Sequence, residues 1–338
     1  MSVRRLPGSL AALTGDGRGR LLASVAVGWF LVLGMRFVVP SVLPTITEGF
    51  GATGSQAGLA VTVLWITYAA MQFPAGYYAD RLGERVLLAG GLGISAVGLV
   101  TYSFTPTFGL FVVATGVFGF GTGLYGPPRG TVVSKTYDEN DGAAGPGAAL
   151  RAAAGAIRNR RIALAVTGAT LMLFVFQAAT AFLTTYLVDI KGLTQGTAGA
   201  ILGVLFVVGA VAQWTCGGLA DRFGTPRVLT AVSVVSVVPL LGLPLAGTTP
   251  ALVAFSALIG VRMSIGPVSN AYIIGLLPDD VQGTAWGALR TGFFLIGSFG
   301  STLVGVMADA GLFDAAFYLL AGLTALGAVV YYFLPERT

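Results

Sequence analysis

The sequence has no histidine and a single cysteine, Cys216. The first absence removes every histidine general base, catalytic triad and histidine-ligated metal. The second removes intrachain disulfides and thiolate clusters. Cys216 lies in an apolar run and reads as a small packing residue. Charge is also scarce. Only 10% of the 338 residues are Asp, Glu, Lys or Arg, against about 25% in average soluble proteins. A water-facing surface cannot be built from so few charges. Soluble enzymes, disordered tails and nucleic-acid binders are excluded at this step. Carboxylates are missing from the middle of every long apolar run, which argues against proton coupling through a buried Asp or Glu.

What is present is apolar. Hydrophobic residues make up 55% of the chain, glycine contributes 50 residues, and mean hydropathy is +0.84. Ten apolar runs are long enough to cross a bilayer: 22–46, 57–79, 86–104, 107–128, 162–188, 194–217, 226–246, 250–275, 284–308 and 313–334. They are called spans 1 to 10. All are expected to be helices, because hydrocarbon offers backbone groups no other partner. A barrel would need short alternating strands, and these runs are continuous. The expected fold is an all-α, polytopic membrane protein.

Basic residues set the expected orientation. Arg4, Arg5, Arg18 and Arg20 precede span 1, Arg81 and Arg85 follow span 2, and Arg222 and Arg227 follow span 6. Lys135, Arg151, Arg158, Arg160 and Arg161 lie between spans 4 and 5, and Arg337 follows span 10. The opposite loops hold only Lys191. The positive-inside rule then puts both termini in the cytoplasm and explains the net charge of +5. The Arg4-Arg5 pair resembles a twin-arginine signal, but the first run is too long for a signal core, so an uncleaved first span is expected. The expected organisation is a four-span unit over 1–128, a polar cytoplasmic connector over 129–161, and a six-span unit over 162–338.

One motif occurs twice. Gly76-x-x-Ala79-Asp80-Arg81-x-Gly83 follows span 2, and Gly217-x-x-Ala220-Asp221-Arg222-x-Gly224 follows span 6, at an offset of 141 residues. Glycine permits a tight turn, Asp80 and Asp221 can face the positive end of a helix, and the arginines hold the loop at the membrane surface. On these residues the chain resembles the major facilitator superfamily, whose signature is G-x-L-a-D-r-x-G-r-k after the second helix. The resemblance implies a secondary transporter with two bundles rocking about a central site. It also makes Gly76, Asp80, Arg81, Gly83, Asp221, Arg222 and Gly224 gating-loop residues. The first copy departs from the signature at Tyr78 and Glu84.

The family usually has two six-helix halves. The offset pairs Gly142 with Gly283, each after acidic residues, yet only Gly283 is followed by two further spans. Counterparts of spans 9 and 10, the family's fifth and sixth helices, are therefore expected to be absent from the first half. The resemblance implies that Asp80 meets the start of span 9, near Gly283–Trp286, while Asp221 has lost its partner.

Charges inside apolar spans are functional candidates. Arg36 lies in span 1 and Arg262 in span 8. By the resemblance, spans 1, 4, 5 and 8 line the cavity, so the two arginines would come from opposite bundles and suit an anionic substrate. The competing reading is structural, with each arginine capping carbonyls at a broken helix; Pro40 and Pro44 follow Arg36 closely. Arg290 is expected to snorkel to the surface. Gln177 and Asn270 are the favoured polar residues on cavity spans; Tyr68, Gln72, Thr180 and Gln213 are others at membrane depth. Gly119-Phe-Gly121-Thr-Gly123 looks like a phosphate loop, but an apolar span without a preceding strand points to close helix packing.

The expected partners are a small-molecule substrate and the lipid bilayer, with no nucleic acid, no cofactor and no metal. A second copy of the chain is the candidate that would compensate a missing helix pair. The expected function is transport of a small solute, with an anion favoured, across the cell membrane. The alternatives are efflux of amphipathic compounds and a shortened relative that no longer transports.

Overall fold

The computed structural model describes residues 18–137, 146–277 and 282–336. Among these, ten helical spans are long and apolar enough to cross a membrane. Span 1 is a chain of three helices, Arg18–Arg36, Val38–Ser41 and Leu43–Phe50. Its first break follows from Pro40, which lacks an N–H and crowds the carbonyl four residues back, that of Arg36. Spans 2, 3 and 4 are Gly54–Leu82, Glu84–Tyr102 and Phe108–Tyr137. Spans 5, 6 and 7 are Arg160–Asp189, Gln195–Phe223 and Thr225–Leu245. Span 8 is split into Thr249–Gly260, a 3₁₀ turn Val261–Ser264, and Ile265–Ile274. Pro267 sits four residues beyond Met263 and breaks this helix in the same way. Spans 9 and 10 are Gln282–Asp309 and Phe313–Tyr332.

The repeated loops share one backbone geometry. Gly83 (φ 85°) and Gly224 (φ 92°) both occupy the left-handed side that favours glycine. Each donates its N–H to the alanine four residues back, Ala79 or Ala220, at 3.0 Å. The motif thus stops spans 2 and 6 identically. The end of the molecule carrying these loops is called the repeat end, and the other the far end.

Small residues let the helices approach. A Cβ on Gly121 would lie 2.6 Å from the Ser95 amide, and one on Gly123 would lie 2.7 Å from the Tyr68 carbonyl oxygen. This is the packing use expected of the Gly119–Gly123 run. Span 4 therefore sits between spans 2 and 3.

Span 9 joins the two halves by packing along both span 2 and span 5. A Cβ on Gly58 would come within 2.5 Å of the Ser301 carbonyl oxygen, and one on Gly300 within 2.6 Å of that of Phe174. Thr62 adds hydrogen bonds of 2.8 Å to the Ser298 carbonyl and to the Thr302 hydroxyl.

The stretch expected to be an unstructured connector is largely helical. Span 4 runs on to Tyr137, and Pro146–Ile157 forms a helix that packs on spans 9 and 5. Its alanines, read from sequence as linker composition, are the strongest helix formers. Ala153 is buried in the same cluster as Leu289. Residues 138–159, between Tyr137 and Arg160, are too few for two membrane spans of about 20 residues each.

Candidate substrate site between the two bundles

At the far end the halves are tied by polar contacts. The Asp309 carboxylate, at the end of span 9, accepts the N–H of Gly54 at 2.6 Å and that of Ser55 at 2.8 Å. These are orphan donors in the first turn of span 2, where negative charge is favoured. Thr53 caps the same turn through a reciprocal bond pair with Gln56. Thr184 of span 5 donates to the Pro40 carbonyl, and the Gln195 amide of span 6 donates to that of Ser41. The proline break in span 1 frees backbone oxygens, and the second half takes them up.

Further in, side chains of both halves converge on Tyr68. The Arg36 guanidinium carbon lies 4.0 Å from the Tyr68 ring centre and 5.7 Å from that of Trp65. Arg36 is 2% exposed. From span 9, Arg290 Nη2 donates to the Tyr68 hydroxyl at 3.4 Å, a long bond, and its guanidinium lies 5.5 Å from the Phe294 ring centre. Arg290 Nε is buried without a hydrogen-bond partner. Aromatic rings surround the pair. Phe294 stacks on Trp65 at 6.0 Å and meets Tyr68 edge-on at 5.2 Å. Phe37 meets Phe206 of span 6 at 4.5 Å and Phe176 of span 5 at 6.3 Å.

Arg290 was expected to snorkel outward, and the structure corrects this. Span 9 begins at Gln282, so Arg290 is two turns inside it, and the rings of Phe294 and Tyr68 hold its head inward. The sequence signal for this was its i, i+4 spacing from Phe294 on one helix face.

Arg262 belongs to a different setting. Its Nη1 donates to the Thr324 hydroxyl at 3.0 Å, and its Nη2 lies 3.3 Å from both the carbonyl oxygen and the sulfur of Met172. All these partners are in the second half. The guanidinium bridges spans 5 and 10 across the 3₁₀ turn of span 8. The residue that shares an aromatic partner with Arg36 is Arg290.

Gln177 is 1% exposed, and neither end of its amide has a hydrogen-bond partner. It shares a helix face with Thr180 and Thr184, and the Thr184–Pro40 bond turns that face toward span 1. A buried amide left unpaired costs about 1–3 kcal/mol, so a ligand that bonds it recovers that amount. Asn270 is half-buried on Ile265–Ile274, two turns beyond Arg262. Gln72 is buried with an unpartnered amide nitrogen.

In the gating loops, Gly83 and Gly224 form the turns described above. Arg81, Asp221 and Arg222 are exposed. The Arg222 guanidinium lies 5.3 Å from the Phe223 ring centre. Gly76, the Asp80 side chain and Gly283 lie outside the described residues, and so does the expected Asp80 contact with the start of span 9.

Two helical bundles joined across the membrane, with cationic and unpaired polar groups buried between them, define a membrane carrier. The profile of the Major Facilitator Superfamily matches residues 25–158 and 165–338, and the chain belongs to that family. A probable hexose phosphate transport protein of Chlamydia trachomatis is 26% identical over 124 residues, 37% of this chain and 27% of that protein. The human protein spinster homolog 1 is 30% identical over 133 residues, 38% of this chain and 25% of that protein. The matched part of this chain thus spans about a quarter of each relative. Among solved structures, an inward-facing, unoccupied bacterial homologue of the human lysosomal transporter Spinster superimposes with a TM-score of 0.79. That match covers 97% of this chain and 98% of the other at 13% identity, and it shows the fold.

Proposed function

We propose that the chain carries a small organic anion across the cell membrane by alternating access, with phosphate esters the favoured chemistry. One observation carries this reading. Guanidinium groups from the two bundles, Arg36 and Arg290, engage the same tyrosine between them. Guanidinium presents planar, paired donors that match a phosphate or carboxylate. An anion bound there touches both bundles at once, so it can bias how they rock. Gln177 would supply a polar contact from span 5, and Arg262 and Asn270 a more distant positive wall. The name of the Chlamydia trachomatis relative, which refers to hexose phosphate, supports the same chemistry.

The gating loops belong to this cycle. The far end is held shut by Asp309 and by the Thr184 and Gln195 contacts, so the site opens toward the repeat end. Both termini and the repeated loops then face the cytoplasm, in keeping with the arginine distribution. The chemistry is binding and release; no bond is made or broken, and no cofactor is required.

A second reading, efflux of amphipathic compounds, draws on Phe37, Trp65, Phe206 and Phe294 around the arginines. Counterflow in proteoliposomes separates the two. Exchange of labelled organic phosphates that falls at least tenfold in Arg36→Ala and Arg290→Ala supports the anion reading. Movement of lipophilic dyes indifferent to both substitutions overturns it. No flux of either kind leaves a non-transporting relative.

A further inference from the structure

The internal repeat locates a missing wall. Span 2 and span 6 align without a gap at the offset of 141, from the threonine caps Thr53 and Thr194 to the loop glycines Gly83 and Gly224. Span 2 receives span 9 on the face carrying Gly58 and Thr62. The matching positions on span 6 are Gly199 and Gly203, and neither has any atom within 4 Å of the place a Cβ would occupy. No helix fills on span 6 the seat that span 9 fills on span 2.

The same vacancy reaches span 1. Helix Arg18–Arg36 packs mainly on span 4, where the Tyr125 hydroxyl donates to the Val25 carbonyl at 3.0 Å. It makes no substantial packing with span 6. Spans 1 and 6 meet at the Phe37–Phe206 ring contact, and toward the repeat end they part. On span 1, Phe30 and Gly34 share the face of Phe37. Phe30 is 75% exposed, and Gly34 has open space beside it. On span 6, Ala210, Gln213 and Gly217 share the face of Phe206; Ala210 is exposed and Gly217 has open space beside it. The slot between these faces is apolar but for Gln213. It opens sideways, and its inner limit, Phe37, is next in sequence to Arg36.

We infer that this slot is a lateral portal, and that the transported anion is a single-chain amphiphile whose hydrocarbon tail lies between spans 1 and 6 while its anionic head reaches Arg36 and Arg290. This deepens the proposed anion reading and rests on it. The occupant follows from the chemistry of the two ends. The outer end of the slot is open to hydrocarbon, in which a polar solute gains nothing. The inner end presents two guanidinium groups beside Tyr68. Only a molecule apolar along its length and anionic at its tip satisfies both. From Phe30 to Arg36 the helix rises about 9 Å, so several methylene groups fit along the slot.

The test uses the full chain in lipid nanodiscs and a series of n-alkyl phosphates from butyl to decyl. Binding is read by fluorescence of the tryptophans, which include Trp65 beside Arg36, against total aqueous ligand. Each methylene seated in an apolar slot strengthens binding about fourfold, so potency should climb steeply with chain length. Ala210→Trp fills the slot and should flatten that climb while leaving butyl phosphate within about twofold, since each lost methylene contact is what the substitution removes. Arg36→Ala should weaken every member alike. A flat chain-length series, or a climb untouched by Ala210→Trp, overturns the portal and leaves the anion site standing. Butyl phosphate binding indifferent to Arg36→Ala overturns the anion site and the portal with it. Disulfide-linked dimers of an Ala210→Cys, Cys216→Ala chain in the membrane assign the face to a second copy and also overturn the portal.

Discussion

Replacing Asp309 should loosen the far end of the molecule by a definite amount. Its two oxygens accept the N–H groups of Gly54 and Ser55, 255 and 254 residues away in sequence, at 2.6 and 2.8 Å. These bonds join span 9 to the first turn of span 2. Asp309 is exposed, so the charge–dipole contribution is about 0.3–1 kcal/mol. Losing the capping acceptor adds about 0.5–2 kcal/mol, toward the low end because Thr53 and Gln56 already cap this turn. Asp309→Asn keeps one acceptor and removes the charge, for a loss of about 1 kcal/mol; Asp309→Ala removes both, for about 2 kcal/mol. If the far end opens by separating spans 2 and 9, the open population rises about fivefold for Asn and about thirtyfold for Ala. The reporter is Ser301→Cys in a Cys216→Ala background. Ser301 is buried under Gly58 and its hydroxyl has no hydrogen-bond partner, so sulfur replaces it at little cost. Its alkylation rate by a water-soluble maleimide follows the open population. Rates unchanged in both variants would refute the latch.

Other substitutions test separate parts of the account. Gly58→Leu should destabilise the fold by about 3 kcal/mol, because the added atoms meet the Ser301 backbone. Gly199→Leu, its repeat counterpart, should be neutral or stabilising by about 0.5–1 kcal/mol, since open space surrounds it and leucine favours helix; thermal unfolding in detergent compares the two, and equal losses would contradict the missing-wall argument. Arg262→Met should leave the melting temperature unchanged or higher. Thr324 still donates to the Leu320 carbonyl, so no hydroxyl is orphaned, and an apolar replacement of a buried charge is often stabilising. A fall of several degrees would show that the guanidinium bridge stabilises the second half. Asp80→Asn should impair transport far more than Asp221→Asn, measured by proteoliposome flux, and equal effects would count against retention of a partner by the first loop alone.

The spans were legible from sequence because hydrocarbon permits only one backbone solution, and ten runs and ten helices agree within a few residues except at span 4 and the connector. The repeat was legible because glycine is required at Gly83 and Gly224, and their positive φ values bear this out. The connector helix was hidden by alanines, which serve linkers and helices equally well in composition. The convergence on Tyr68 was hidden for a different reason. Which arginine faces inward depends on how span 9 is rotated, and that is set by Gly58, Thr62 and Gly300 packing across three helices rather than by anything near Arg290. Arg36 and Arg262 both appear one turn or so before a proline, and sequence alone could not divide them. Their neighbours do: Arg262 finds hydroxyl, carbonyl and sulfur partners in its own half, while Arg36 lies on the rings of Trp65 and Tyr68 beside span 9.

The most direct test of the central claim is the affinity of the purified chain for an alkyl phosphate in the wild type, Arg36→Ala, Arg290→Ala and the double variant. Hydrogen bonds to charged groups are each worth about 1.5–3 kcal/mol, so each single variant should weaken binding at least tenfold. The two side chains share Tyr68, so the double variant should fall short of the product of the singles. Wild-type affinity retained in both single variants would contradict the account.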